Sequence, residues 1–194
     1  SQAAGILLET ALLHQRIMDQ GRIEQEFQTA RRIQEWLITS EAPVIPGYQM
    51  ALRLDPALET GGDLLWVKRR PQGAWVAAVG DVSGKGLAAA LYMSQATALL
   101  TFASQDGLLD LARLLPALDT TMRNLMGPRD FLTLSLLAWD ESGAFRLARA
   151  GHPPAFLVHG SQPGDVEELC PRGRGLGLRP QGSGGWEVLE GVLG

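Results

Sequence analysis

Apolar residues recur at mixed steps of three and four along the first forty positions of the chain, and no proline occurs there. This spacing is typical of a helix and comes close to the heptad seam of a coiled coil. The positions concerned are Ile6, Leu13, Ile17, Ile23, Phe27, Ala30 and Leu37. Gln20 and Gly21 interrupt the stripe, and an interior glycine costs a helix about 1 kcal/mol relative to alanine. We predict an N-terminal helix over residues 1–39, with a weak point at Gly21 or as two helices that meet there.

The periodicity changes after residues 40–47, where two prolines end the helical pattern. Beyond them, pairs of short apolar runs flank turn-forming residues, which predicts three β-hairpins. The predicted strands are Leu64–Lys68 with Trp75–Val79, Phe131–Trp139 with Phe145–Arg149, and Ala155–His159 with Val166–Leu169. Alternating apolar positions predict two further strands, at Tyr48–Leu54 and Trp186–Leu189.

Two stretches rich in alanine and leucine lie between the first and second hairpins and predict helices at Gly86–Ser104 and Leu108–Leu125. Strands, then two consecutive helices, then more strands indicate antiparallel sheets with helices packed on a face. We predict an α+β fold for a domain that covers residues 40–194.

The composition is that of a globular protein, with 45% hydrophobic and 20% charged residues in a chain of 194. The net charge of −4 argues against a nucleic-acid partner, which usually requires a basic face. No apolar run approaches the roughly 20 residues needed to cross a bilayer, and the chain opens without a basic and apolar signal peptide. We expect a cytoplasmic protein with no membrane partner. The single cysteine, Cys170, excludes an internal disulfide.

Asp63 and Asp81 are the candidate functional residues, because each lies nine positions from Gln72, the centre of the first predicted turn. Residues equidistant from a hairpin turn face each other, with Cβ atoms roughly 5 Å apart. Two carboxylates so placed repel, and a hard divalent cation such as Mg²⁺ would neutralise them. The alternative is a pair of exposed aspartates in ordinary turns, since a register slip of one residue would place them on opposite faces.

Five short motifs occur in order along the chain. They are Ala30–Gln34 through Leu37, Gly61–Asp63, Gly80–Leu91 followed by Met93 and Ser94, Phe131–Leu134, and Ala150–Pro154. Together they resemble the PP2C-like phosphatases of the SpoIIE/RsbU type, over a region from about Ala30 to Leu178. The resemblance implies an antiparallel β-sandwich flanked by helices, preceded by a signalling helix. It also implies hydrolysis of phosphoserine or phosphothreonine on a regulatory protein, typically an anti-sigma-factor antagonist in bacterial partner switching.

The resemblance further implies roles for individual residues. The aspartate that matches Asp81 bridges two Mn²⁺ or Mg²⁺ ions, the one that matches Asp63 binds one of them, and the backbone carbonyl that matches Val82 adds a ligand. Such a pair of ions activates water for attack on a phosphate ester. We expect Asp63 and Asp81 to be catalytic, and these two carboxylates with the Val82 carbonyl to hold the metal.

Two departures from the family pattern affect the expected activity. Leu64, Leu65 and Trp66 stand where the family commonly has two aromatic residues and an acidic one. The family's later Asp-Gly and Asp-Asp motifs follow the strand that matches Trp186–Leu189, and neither occurs between that strand and Gly194. We expect the domain to be incomplete at its C-terminus and its metal binding weak or absent, because affinity follows the number of ligands. The alternative function is a catalytically inactive module for dimerisation or partner binding.

The expected partners are a phosphorylated regulatory protein and a second copy of the chain through the N-terminal helix, although that helix could equally pack on its own domain. Near the acidic pair, we interpret His152 as a structural histidine bonded to backbone groups and Lys85 as a solvated lysine. Arg172, Arg174 and Arg179 lie in a glycine-rich segment, a possible substrate flap, and we interpret them as solvated arginines.

Overall fold

The computed structural model describes residues 13–18, 21–22, 25, 28–29, 32, 36–39, 41–55, 61–70, 73–105, 110–160, 164–178 and 185–193. Within these ranges, the elements follow the predicted order of two strands, two consecutive helices and then further strands. The elements are β1 (Asp63–Arg69), β2 (Trp75–Val82), α1 (Leu87–Gln105), α2 (Leu111–Leu125), β3 (Leu132–Trp139), β4 (Ala144–Ala150), β5 (Ala155–Val158), β6 (Val166–Leu169) and β7 (Val188–Val192).

Five strands form one antiparallel sheet in the order β1-β2-β3-β4-β7, and β5 pairs with β6 in a separate two-stranded sheet. All three predicted hairpins are present. Strand β7 begins two residues later than predicted, at Val188. The indole of Trp186 is engaged elsewhere, since its Nε1 donates to the backbone oxygen of Arg174 at 2.8 Å.

The two helices cover one face of the larger sheet. Residues 89, 93, 96 and 100 of α1 are buried at helical spacing, and the indole of Trp66 on β1 donates to the hydroxyl of Thr101 on α1 at 3.2 Å. Asp110 caps α2, because its Oδ1 accepts from the backbone N–H of Ala112 at 3.0 Å, and this cap explains why α2 begins later than predicted.

The opposite face of the sheet carries a second apolar cluster, which is covered by the β5–β6 hairpin and by part of residues 45–52. Alternate strand residues point to opposite faces, so neighbours such as Leu147 and Ala148 belong to different clusters. The buried members of this second cluster are Ile45, Val67, Trp75, Trp139, Phe145, Leu147 and Leu169. The predicted α+β arrangement of sheets in layers with flanking helices is confirmed.

The predicted strand at Tyr48–Leu54 is wrong. Tyr48 forms only an isolated β-bridge with Ile45 around a turn, and residues 49–54 do not form a strand. Tyr48, Met50 and Leu52 pack on the second cluster. The alternation arose because every second side chain covers the sheet, and it did not require a hydrogen-bonded partner strand.

All of the described residues between positions 13 and 37 are helical, so an N-terminal helix is confirmed there, while Ile38 and Thr39 are not helical and residues 1–12 lie outside the described ranges. Gly21 itself is helical, while residues 19–20 lie outside the described ranges. The coiled coil and the boundary at residue 39 stay predictions.

Within the described parts of the chain, α1 is long and apolar enough, by length and composition alone, to cross a membrane. The expectation that no apolar stretch approaches this length is therefore wrong for α1. Buried residues such as Met93 and Leu100 pack in the core against the sheet, which accounts for part of its apolar composition.

Candidate metal centre

Asp63 and Asp81 are register partners in the antiparallel ladder of β1 and β2. The register is fixed by size complementarity on the helix-facing side, where the large Leu64 and Trp66 lie opposite Gly80 and Ala78. A slip of one residue would turn both large side chains away from the core. The predicted register, with Asp63 opposite Asp81, is confirmed.

Glycines allow the backbones to approach closely around the acidic pair. A Cβ added to Gly62 would lie 2.6 Å from the carbonyl oxygen of Val82, and one added to Gly80 would lie 2.6 Å from the carbonyl oxygen of Thr133. Real Cβ atoms do not come this close to backbone oxygens, so side chains at either position would displace the neighbouring strand. Glycine is therefore required at both positions for close packing of the backbones, as well as for access to the acidic pair.

Backbone hydrogen bonds to two different neighbouring segments fix Val82 and the next residue, Ser83, at the end of β2. The N–H of Val82 donates to the carbonyl oxygen of Gly62 at 3.1 Å, and the next N–H, of Ser83, donates to the carbonyl oxygen of Phe131 at 2.8 Å. Ser83 also accepts a hydrogen bond from the N–H of Phe131 at 2.8 Å through its hydroxyl. The chain therefore leaves the acidic pair in a fixed direction toward α1.

The electrostatics of the pair favour a cation. Asp81 is exposed and Asp63 half-buried, yet partial burial and then the charge of Asp63 raise the pKa of Asp81, while the nearby His152 opposes that rise. A bound cation would remove this repulsion, and carboxylate and carbonyl oxygens are the donors that Mg²⁺ and Mn²⁺ accept. The residues present fit such an ion.

Thr133 flanks Asp81 on the other side. It belongs to the Phe131–Leu134 motif, but no role was predicted for it from the sequence. It is the register partner of Asp81 in the β2–β3 ladder, and its hydroxyl lies 3.2 Å from the carbonyl oxygen of Asp81 and 3.0 Å from Nδ1 of His152. A hydroxyl carries one hydrogen, so both bonds form together when Thr133 donates to Asp81 and accepts from Nδ1–H of His152. The signal in the sequence was its place within the Phe131–Leu134 motif, on an alternating strand.

His152 sits in a turn that is fixed by its neighbours. Nη1 of Arg149 donates to the carbonyl oxygen of His152 at 2.6 Å. Burial lowers the pKa of His152, Asp81 opposes this effect, and Arg149 adds to it. The ring is bonded to the side chain of Thr133, whereas the structural interpretation expected backbone partners for it. Lys85 is exposed in the turn before α1, as expected.

Residues 71–190, more than half of the chain, match the family model described as Stage II sporulation protein E (SpoIIE). The chain belongs to the SpoIIE family.

Solved structures share the fold of this SpoIIE-family chain. The RsbU and RsbW domains of Rv1364c from Mycobacterium tuberculosis are 32% identical with a TM-score of 0.57, over 72% of this chain and 37% of that one. The SiaA-PP2C domain of Pseudomonas aeruginosa is 22% identical with a TM-score of 0.68, over 91% of this chain and 69% of that one. The PP2C phosphatase domain and regulatory-domain fragment of SpoIIE from Bacillus subtilis is 20% identical with a TM-score of 0.55, over 69% and 38%. The predicted family resemblance and the PP2C-like fold are confirmed.

The interpretation of the glycine-rich segment needs correction in this SpoIIE-family chain. Arg174 is not a solvated arginine, because it forms a two-pronged ion pair with the buried Asp119 on α2. Arg172 is exposed, as expected, and Arg179 lies outside the described residues. Asp119 was not recognised from the sequence, although its place on the buried face of α2 marks a carboxylate that needs a partner.

Within the described ranges, no third candidate side-chain ligand joins Asp63 and Asp81. No group of three or more His, Cys, Asp or Glu residues there could hold a metal ion. The two carboxylates and the carbonyl of Val82 would therefore offer an ion only a partial set of protein ligands, and partial sets bind Mg²⁺ weakly.

Proposed function

We propose that this chain carries part of the active site of a metal-dependent phosphatase that hydrolyses phosphoserine or phosphothreonine on a regulatory protein. The observation that carries the proposal is the alignment of Asp63 with Asp81 at the exposed end of the β1–β2 ladder. Membership of the SpoIIE family and the PP2C-like fold support it.

In this proposal, Asp63, Asp81 and the carbonyl of Val82 hold Mn²⁺ or Mg²⁺. When bound, the cations would supply an acidified water and offset charge on the transferring phosphoryl oxygens. Thr133 holds the backbone of β2 in place beside Asp81, and His152 in turn orients the hydroxyl of Thr133.

The proposed substrate is a phosphorylated regulatory protein of the anti-sigma-factor-antagonist type. One solved structure of a similar chain supports partner switching as the setting, because it contains RsbU and RsbW domains together. We also propose that the protein acts in the cytoplasm as a homodimer joined through the N-terminal helix.

A second candidate is a phosphatase-like module that binds a regulatory partner without turnover. The observation that favours it is the small ligand set, since the described residues place only two carboxylates at the site. Weak metal binding would then leave a surface for a partner without hydrolysis.

Hydrolysis of p-nitrophenyl phosphate with and without Mn²⁺ tests the proposal. We expect slow Mn²⁺-dependent turnover, which Asp81→Asn and Asp63→Asn reduce to the rate measured without metal. Asp55→Asn is the matched control, because Asp55 is exposed and bonded to Arg53. Turnover that survives Asp81→Asn would contradict the proposed site. Absence of turnover at every Mn²⁺ concentration, with no Mn²⁺ binding detected by calorimetry, would instead favour the second candidate.

A further inference from the structure

Asp119 is a buried carboxylate on α2, with only 2% of its surface exposed. Its Oδ1 accepts hydrogen bonds from Nη1 of Arg174 and from the backbone N–H of Gly177, both at 2.9 Å. Its Oδ2 accepts from Nη2 of Arg174 at 2.8 Å and from Arg123, one turn along the same helix. A buried charge is costly unless it is paired and hydrogen-bonded, so this arrangement fixes three partners at one point.

Arg174 is fixed on its other sides as well. Nη1 also donates to the carbonyl oxygen of Leu178 at 2.9 Å. The guanidinium carbon lies 4.6 Å from the ring centroid of Trp186, and the indole of Trp186 donates to the backbone oxygen of Arg174. A planar guanidinium can hold a carboxylate with two bonds while it stacks on an indole, which a lysine cannot do.

Residues 171–178, which we call the Arg174 segment, also pair with the start of β3. Leu176 and Leu132 exchange two backbone hydrogen bonds, at 2.8 and 2.9 Å. Leu132 directly precedes Thr133, the residue whose hydroxyl bonds to the backbone of Asp81. The segment therefore supports β3 one residue away from the acidic site.

The same segment supports the turn that carries His152. The N–H of Gly151 donates to the carbonyl oxygen of Gly173 at 2.9 Å, and Nε of Arg149 donates to the carbonyl oxygen of Pro171 at 3.0 Å. A Cβ at Gly173 would overlap the carbonyl oxygen of Arg149, so the segment and the end of β4 are in close backbone contact.

We infer that the Asp119–Arg174 ion pair positions the strand and the turn that flank the acidic site. The pair anchors the Arg174 segment to α2, and the anchored segment holds the backbones of Leu132 and Gly151. Asp119 and Arg174 act through this segment and not at the reacting atoms. They are positioning residues, and they link helix α2 to the geometry beside Asp81.

Amide hydrogen exchange, followed by NMR, tests the inference without any need for catalysis. Asp119→Asn keeps the size of the side chain and an acceptor for Gly177 but removes the charge that binds Arg174. We expect protection of the amides of Leu132, Leu176 and Gly151 to fall at least about tenfold more than that of the amides at the opposite end of the sheet. An equal loss throughout the sheet would show a purely structural role and overturn the inference.

A second variant keeps the inference testable if Asp119→Asn does not fold. Arg174→Lys retains the positive charge but cannot form the two-pronged bond, and we expect loss of protection at the same amides. Unchanged protection at those amides would overturn the inference. The control is Glu190→Gln, which breaks the exposed Arg146–Glu190 pair on β4 and β7 and should leave those amides unaffected.

The consequence for catalysis rests on the proposed function. If the chain hydrolyses p-nitrophenyl phosphate with Mn²⁺, Arg174→Lys should lower kcat while KM stays within about twofold, because the geometry beside the acidic pair and not substrate capture is altered. An unchanged kcat despite lost protection would overturn the catalytic part of the inference. Absence of turnover in the wild type would refute the proposed function alone, and the exchange data would still decide the positioning role.

Discussion

Asp81 faces Asp63 across the β1–β2 ladder, and the pKa of Asp81 is raised by partial burial and by the charge of Asp63. The fold therefore holds two carboxylates together at a cost. A raised carboxyl pKa in the folded state means that the folded chain binds a proton more readily than the unfolded chain, so ionisation of Asp81 destabilises the fold without metal. In the proposed function, a bound cation would offset this cost.

Neutralising Asp81 should stabilise the metal-free protein. We expect Asp81→Asn to raise the Tm in EDTA at pH 7, because the variant no longer partly buries a charge at this position or repels Asp63. The difference in Tm between this variant and the wild type should shrink as the pH falls through the raised pKa of Asp81 toward the ordinary carboxyl range, about pH 4. Thermal unfolding by circular dichroism measures both effects, with Asp55→Asn as the control. A lower Tm for Asp81→Asn would argue against a repulsive pair.

With Mn²⁺, the wild type should have a higher Tm than Asp81→Asn, the reverse of their order in EDTA. A ligand that binds only the folded state stabilises it by RT ln(1 + [L]/Kd), which is about 1.4 kcal/mol at ten times the Kd. We expect added Mn²⁺ to raise the Tm of the wild type, with little effect on Asp81→Asn. An equal rise in both proteins would place the bound ion elsewhere.

Gly62 is required by the close approach of β1 to the end of β2. A Cβ there would lie 2.6 Å from the carbonyl oxygen of Val82, so Gly62→Ala should destabilise the fold by about 1–3 kcal/mol, as overpacking typically does. Gly61→Ala is the matched control, since the nearest atom to its Cβ would be 3.8 Å away. Urea unfolding measures the two free energies, and equal values for the two variants would contradict the steric argument.

The acidic pair could be predicted from the sequence because a hairpin register is local. Nine residues on either side of one turn fix Asp63 opposite Asp81, and the apolar pattern reinforces that register. The partnership of Asp119 with Arg174 spans 55 residues and depends on how α2 packs against the sheet, which no local pattern specifies. Asp119 nevertheless lies on the buried stripe of α2, one residue after Leu118, and a charge in that position indicates a partner elsewhere in the chain.

The ion pair of Asp119 should make stability depend on acid pH. Burial alone would raise the pKa of Asp119, but hydrogen bonds from Arg174 and Gly177 and the charges of Arg174 and Arg123 lower it below the ordinary value. A lowered carboxyl pKa contributes stability that is complete above the unfolded value, about 3.9, and is lost as the pH falls through the folded value.

We therefore expect Asp119→Ala to lower the free energy of unfolding by about 3–5 kcal/mol near neutral pH, because it leaves a partly buried guanidinium without its anion. The difference in free energy of unfolding between Asp119→Ala and the wild type should shrink below about pH 4. Glu190→Gln, which breaks an exposed pair, should cost less than about 1 kcal/mol at neutral pH. Urea unfolding at several pH values provides the comparison, and a pH-independent difference would contradict the assigned charge state.

The contact between Trp66 and Thr101 should depend on the hydroxyl group of Thr101. Trp66 is only 1% exposed, and its indole N–H donates to Thr101 at 3.2 Å. Thr101→Val preserves shape and β-branching but leaves the buried N–H without an acceptor, so we expect a loss of about 1–3 kcal/mol in urea unfolding. Thr101→Ser keeps the hydroxyl and should recover most of that loss. A larger loss in Thr101→Ser than in Thr101→Val would show that the γ-methyl of Thr101, and not its hydroxyl, holds α1 against β1.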